Sequence, residues 1–178
     1  MDQDLRFPIG EFEAPDVIDD AQVEAWIDDI ERLPGQLRAL VELFDETKLN
    51  TVYRPGGWTV AQVVHHIADS HLNSYTRFKL ALTEDKPAIR PYDEAAWGEL
   101  PEASDSDIGD SLDLIDALHR RWVKMLRSME PAEWDREFFH PEGQVTIPLR
   151  TNVGIYSWHG RHHFAHISTL AEREGWSH

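Results

Sequence analysis

The sequence predicts an all-α fold: a four-helix bundle with long crossover connections, formed as one domain over residues 1–178. Three observations predict it. Four stretches carry apolar residues three and four apart, the spacing that lays one stripe along one side of a helix. The connections between them include two long ones, able to cross the length of a bundle, and no internal repeat divides the chain. At 178 residues, 41% of them hydrophobic and with seven Trp and seven Phe, the chain can fill one sizeable core.

Residues 1–17 contain Pro8, Gly10 and Pro15 without helical period, so they read as an extended lead-in on the surface that carries no chemistry. The first helical stripe is Val23, Trp26, Ile27, Ile30, Leu33, Leu37, Leu40, Val41 and Phe44. Pro34 should kink or briefly interrupt it, since proline lacks the N–H that the helix ladder needs. After the turn-rich TVYRPGG, Thr59 with Gln62 three residues on forms a capping-box signature and opens a second helix to about Leu82, striped by Val60, Val64, Ile67, Tyr75, Phe78 and Leu82. Residues 83–110 are acidic and hold Pro87, Pro91 and Pro101, which makes them a long connection with one short turn around YDEAAW. A third helix over 108–129 buries Leu112, Ile115, Trp122, Met125 and Met129, and Pro131 ends it. Residues 137–148, EFFHPEGQVTIP, alternate around a Glu142-Gly143 turn and predict a small β-hairpin. The fourth helix runs from near Thr151 to Gly175, a residue type suited to the left-handed cap.

Acidic residues outnumber Lys and Arg by 33 to 17, a formal charge of −16, so nucleic-acid backbones and anionic membranes are expected to be repelled. No apolar run approaches the roughly 18 residues of a membrane span, and the start MDQDLRFPIGEFEAPD lacks a basic segment and an apolar h-region. A soluble, cytoplasmic protein is expected. The absence of cysteine excludes disulfides, thiolate nucleophiles and cysteine-based zinc sites, leaving His, Asp and Glu to hold any metal. Ten histidines, four of them between positions 159 and 166, make that possibility the first to consider.

Residues four apart on a helix share a face, so two histidines at that spacing can aim ring nitrogens at one ion. The fourth helix offers His159 with His163 and His162 with His166. At about 100° per residue, Tyr156, His163 and Ile167 fall within some 40° of one another with His159 and Leu170 beside them, so the first pair faces the core. His162 and His166 fall on a flank with Ile155 and Thr169, where they would support the ligands or lie at the surface. A third ligand must come from another element, and VVHHIADSH in the second helix supplies His66 and His71. Periodicity slightly favours His71, which sits within the apolar stripe, over His66 near its edge. A buried, hydrogen-bonded role competes with any role of His71 at a metal. Asp69 could bind the ion, hydrogen-bond the distal nitrogen of a ligating histidine, or lie on a solvated helix face. Trp58 and Trp158 read as packing residues, Tyr75 as either packing or site, and His140 as a surface residue.

The stretches GGWTVAQVVHHIADSHLNSYTRFKLALTE, PAIRPYDEAAW and WHGRHHFAHI, with the PIGEFEAP lead-in, resemble the YfiT-type branch of the DinB-like superfamily over nearly the whole chain. The resemblance implies a four-helix bundle holding a metal by one histidine of the second helix and two of the fourth, which here are His66, His159 and His163. It thereby favours His66 where periodicity favours His71. Three neutral histidines leave coordination positions open, the pattern of catalytic rather than structural zinc. One divalent metal per chain is expected, zinc first and nickel second, and imidazoles would also suit copper or iron(II). The expected activity is metal-dependent hydrolysis of a small-molecule substrate. Metal-dependent transfer of a low-molecular-weight thiol and a non-catalytic metal-binding or sensing module are the alternatives. No HExxH motif supplies a general base, so Asp69 and His162 are the candidate catalytic proton carriers, with His166 and His71 behind them. The resemblance also implies a homodimer.

Overall fold

The structure, a computed structural model, describes residues 4–176. Helix α1 (Asp20–Val41) begins where the Asp19 carboxylate accepts the Gln22 N–H. Of the kink or brief interruption expected at Pro34, the interruption does not occur: the helix runs on through it, and a side chain of another helix occupies the carbonyl that Pro34 cannot serve. A short α2 (Glu46–Leu49) follows, and then α3 (Val60–Thr83). The capping box is formed as expected: Gln62 N–H donates to the Thr59 hydroxyl at 3.1 Å and Thr59 N–H to the Gln62 side chain at 2.9 Å. The short turn expected around YDEAAW is α4 (Glu94–Gly98), which the Gln62 amide ties to α3 by donating to the Gly98 carbonyl at 2.8 Å.

Helix α5 (Gly109–Leu126) stops short of Met129, and a 3-10 turn, Pro131–Asp135, leads into the hairpin. Strands β1 (Glu137–His140) and β2 (Val145–Pro148) pair antiparallel with Phe138 opposite Ile147, and Gln144 takes the positive φ of 49° in their turn. The connection before α4 bridges to the hairpin edge, Ile89 N–H donating to the Phe139 carbonyl at 3.0 Å. Helix α6 (Leu149–Glu174) starts two residues before Thr151, and Gly175 closes it at φ 66°.

The four long helices form the bundle, with α1 and α3 each packed against both α5 and α6. Two glycines let α6 approach α1 closely. A Cβ on Gly154 would come 2.8 Å from the Trp26 ring, and one on Gly160 would come 2.6 Å from Leu33 Cδ2. The core falls into two apolar halves. One contains Leu37, Val64, Ile67, Ile115 and Leu170, and the other Ile27, Phe78, Trp122, Leu149 and Val153. Along α3, α5 and α6 a set of buried polar residues lies between the stretches that feed these halves: Ser70, His71 and Ser74, then His119, then Ser157 and His163. A polar layer therefore cuts the bundle, and buried polar groups have to find partners within it. No helix among the described residues is long and apolar enough to cross a membrane.

Candidate metal centre

The capping box fixes where α3 begins and hence which way its HHxxxxH run faces. The adjacent histidines diverge: His65 bonds to Ser111 Oγ at 2.7 Å and to the Asp105 carbonyl at 2.9 Å, holding the α4–α5 connection. His66, one residue on, turns toward α6. Its Nε2 lies 3.2 Å from Nε2 of His159, and one ring nitrogen from each of His66, His159 and His163 falls within a 4.8 Å group. His66 and His163 are buried and His159 is half-buried, with Trp58 packed against His66 at a ring separation of 4.6 Å.

The electrostatics suit a cation. Burial holds the His66 imidazolium down to about 4, and burial together with the neighbouring histidines holds His159 and His163 well below the usual range. All three rings are neutral near pH 7 and offer lone pairs. A close group of three imidazole nitrogens, with no carboxylate among them, fits a borderline divalent cation of the zinc or nickel kind. The residues therefore fit the group that the sequence implied.

His159 also lines a cavity of about 740 Å³ with Ser70, Arg77, Tyr92, Glu94, His140 and Tyr156. The Ser70 hydroxyl lies 3.4 Å from His159 Nε2. Burial pushes the Tyr92 phenol up to about 12; burial, with Glu142 and Asp93 nearby, raises the Glu94 carboxyl; desolvation and Arg77 lower His140. His140 is thus half-buried in a cavity wall and not the surface residue expected from its place in the hairpin.

The remaining candidates lie elsewhere. Asp69 lines a separate acidic cavity of about 310 Å³ with His65, Glu102 and Asp105, and its own burial raises its carboxyl. His162 faces the lead-in: it stacks on Trp158 at 4.5 Å, lies 5.7 Å from the Phe7 ring, and its buried Nδ1 has no hydrogen-bond partner among the described residues. His162 and His166 are both buried, so the surface alternative for that flank does not hold. With His163 they form a second group of close ring nitrogens. The lead-in does contact this layer, since the Trp158 indole donates to the Gly10 carbonyl at 3.0 Å and His166 Nε2 to the Arg6 carbonyl at 3.0 Å. The reading of residues 1–17 as free of chemistry is corrected to that extent for the described residues 4–17. His71 is fully buried and bonded to His119 and His159. Sequence reasoning passed over His119, although it interrupts the apolar stripe Leu112, Ile115, Trp122 at a position where an apolar residue was due. Arg77, Tyr92 and Glu94 gave no local signal, because only the folded connection brings them to His159.

A bundle of four helices with a histidine group in its polar layer defines a helical protein with a candidate metal centre, and the chain belongs to the DinB superfamily, whose model matches residues 29–167. It is 49% identical over 173 residues to a Bacillus subtilis (strain 168) protein named "Putative metal-dependent hydrolase YfiT", covering 97% of each chain. A Bacillus mycoides (strain KBAB4) protein also described as a "Putative metal-dependent hydrolase" is 50% identical over 174 residues, covering 98% of this chain and 99% of its own. The solved structure of the Bacillus subtilis protein, described as "a probable metal-dependent hydrolase with an unusual four-helix bundle topology", superposes with a TM-score of 0.95 at 48% identity, covering 97% of this chain and 99% of its own.

Proposed function

We propose that the chain is a metal-dependent hydrolase in which His66, His159 and His163 hold one divalent cation, zinc or nickel, at the edge of the cavity lined by His159. The observation that carries this reading is the grouping of one ring nitrogen from each of three neutral histidines within 4.8 Å of one another, the most accessible of the three residues also lining the cavity of about 740 Å³. When bound, such a cation supplies Lewis acidity, polarising a substrate oxygen and easing deprotonation of water. The names of the relatives support the coarse activity.

The protein's own residues then divide the remaining work. Arg77 offers a fixed positive charge to an anionic part of a small-molecule substrate. Glu94, whose acid form burial favours, and His140, held neutral, are a pair of groups pushed in opposite senses within one cavity. In this reading Glu94 donates a proton to the leaving group and His140 accepts one from the attacking water. Asp69 and His162 stand as the other candidate proton carriers, His162 beside the ligand His163 at a ring separation of 5.0 Å and Asp69 in the separate acidic cavity with His65.

Elemental analysis of the purified, tag-free protein beside His66→Ala and His163→Ala, followed by turnover of generic esters and amides, tests the proposal. About one metal per chain, lost in both variants, with metal-dependent hydrolysis, is the expected result. Turnover only when a small thiol and an electrophile are both supplied would replace hydrolysis by thiol transfer. Metal uptake with no turnover of either kind would make the protein a binding or sensing module.

A further inference from the structure

Proline has no N–H, so Pro34 leaves the carbonyl of Ile30, one turn earlier on α1, without its helical partner. That oxygen lies 2.6 Å from Nδ1 of His119 on α5. A carbonyl only accepts, so the His119 proton is on Nδ1 and the neutral ring leaves Nε2 as an acceptor. This Nε2 lies 2.9 Å from Nδ1 of His71, which must therefore donate and keep its own Nε2 as an acceptor. His71 Nε2 in turn lies 3.1 Å from Nδ1 of His159. The proton of that bond belongs to His159, whose Nε2 is left as an acceptor, 3.2 Å from Nε2 of His66 and 3.4 Å from the Ser70 hydroxyl. One backbone carbonyl thus sets the direction of three successive hydrogen bonds.

A shorter chain of the same kind serves the other α6 residue of the group. The Arg6 carbonyl accepts from His166 Nε2 at 3.0 Å, so His166 Nδ1 accepts from Nδ1 of His163 at 3.3 Å, and His163 keeps its Nε2 free. Tyr53 stacks on the His166 ring at 4.0 Å and holds its plane.

We propose that His71 and His119, anchored on the Ile30 carbonyl that Pro34 leaves open, and His166, anchored on Arg6, are positioning residues that lock His159 and His163 with Nδ1 protonated and Nε2 presented to the cation. The inference rests on the reading of His66, His159 and His163 as ligands. A ring in the opposite tautomer would aim an N–H at the ion, and it could reverse only by breaking a hydrogen bond inside a buried layer. Every member is neutral, so the chains orient the ligands without lending the negative charge that a carboxylate partner would. A cation bound there keeps its electrophilic character.

Long-range ¹H–¹⁵N NMR of the histidine rings in the metal-free protein tests the hydrogen-bond chains directly. His71, His119, His159 and His163 are expected as Nδ1–H tautomers and His166 as the Nε2–H tautomer. His71 or His159 found as Nε2–H would overturn the proposal, whether or not the protein binds metal. Zinc affinity, measured by competition with a chromophoric chelator, is then compared in His119→Leu and His119→Gln. The leucine variant should bind zinc about 10- to 100-fold more weakly. Glutamine can donate to the Ile30 carbonyl and accept from His71 at once, and should restore affinity close to that of the unmodified protein. Equal losses in both variants, or no loss in the leucine variant, would overturn the positioning role. Binding of two zinc ions per chain, the second lost in His162→Ala, would put His163 Nδ1 on a second ion and overturn the part assigned to His166. Failure of the unmodified protein to take up zinc would overturn the ligand reading and the positioning role with it, and the metal-free spectrum keeps that failure distinct from an error in the hydrogen-bond chains.

Discussion

At the scale of single residues the polar layer holds charge-averse histidines, and this sets how the molecule meets acid. His66 and His119 titrate near 4 in the folded protein, both because burial disfavours the imidazolium, against about 6.5 for a free ring. Between these values the unfolded chain binds more protons than the folded one, so stability falls as pH drops from about 6.5 toward 4 and is unaffected by these groups above that window. Each group contributes a slope of up to about 1.4 kcal/mol per pH unit. Denaturant titrations of the metal-free protein at pH 7.5 and 5 should show a lower midpoint at the lower pH, and equal midpoints would contradict the burial of these rings. The cavity makes a second demand at this scale. Glu94→Gln removes the raised carboxyl and should lower the rate constant for hydrolysis by about 10²- to 10⁴-fold, the range of a lost general acid. Metal content should stay unchanged in that variant, and an unchanged rate would remove Glu94 from the reaction.

At the scale of the elements, two local devices set the frame on which the histidines sit. The capping box of α3 fixes the start of the helix six residues before His66, and Thr59→Ala should cost about 1 kcal/mol of stability in urea unfolding. The approach of α6 to α1 depends on Gly160, where a Cβ would meet Leu33 Cδ2 at 2.6 Å and His71 Cε1 at 3.4 Å. Gly160→Ala should destabilise by about 1–3 kcal/mol through overpacking. Because the same shift disturbs His71, this variant should also bind metal more weakly, whereas Gly154→Ala, whose nearest contacts are all on the Trp26 ring, should lose stability with less effect on metal. Equal effects of the two substitutions on metal affinity would separate the glycines from the polar layer. The hairpin is placed by main-chain bonds to the connection ahead of α4, and α4 by the Gln62 amide, which is how two segments distant in sequence come to wall one cavity.

At the scale of the whole molecule, the two apolar halves hold the layer of histidines between them, and a bound ion would tie α3 to α6 at its centre. A ligand that binds only the folded state stabilises it by about 2.7 kcal/mol at a concentration one hundred times its dissociation constant. Thermal unfolding should therefore shift upward on addition of zinc to the stripped protein, reverse with chelator, and show no shift in His163→Ala. A shift retained in that variant would place the ion elsewhere. The strongly acidic surface contributes little to this balance. Its ion pairs, including Arg127 with Glu24, Asp28 and Glu31, are exposed and worth on the order of 0–1 kcal/mol each.

Much of this was legible in the chain before folding. The stripes of α1, α3, α5 and α6, the Thr59 cap, the turn at YDEAAW and the hairpin are local patterns, since helix and strand periods are properties of neighbouring residues. For the same reason the sequence by itself turned His159 and His163 to the inner face of α6. What it could not decide was which residue of α3 meets them. His66 and His71 both fall on inward parts of that helix, and only the offset and crossing of α3 against α6 bring His66 Nε2 to 3.2 Å from His159 while His71 reaches its Nδ1 instead. The partnership of Pro34 with His119 and the assembly of Arg77, Tyr92, Glu94 and His140 around His159 belong to the tertiary structure for the same reason. Each joins residues far apart in sequence, and their meeting is set by how whole elements pack, which no local period encodes.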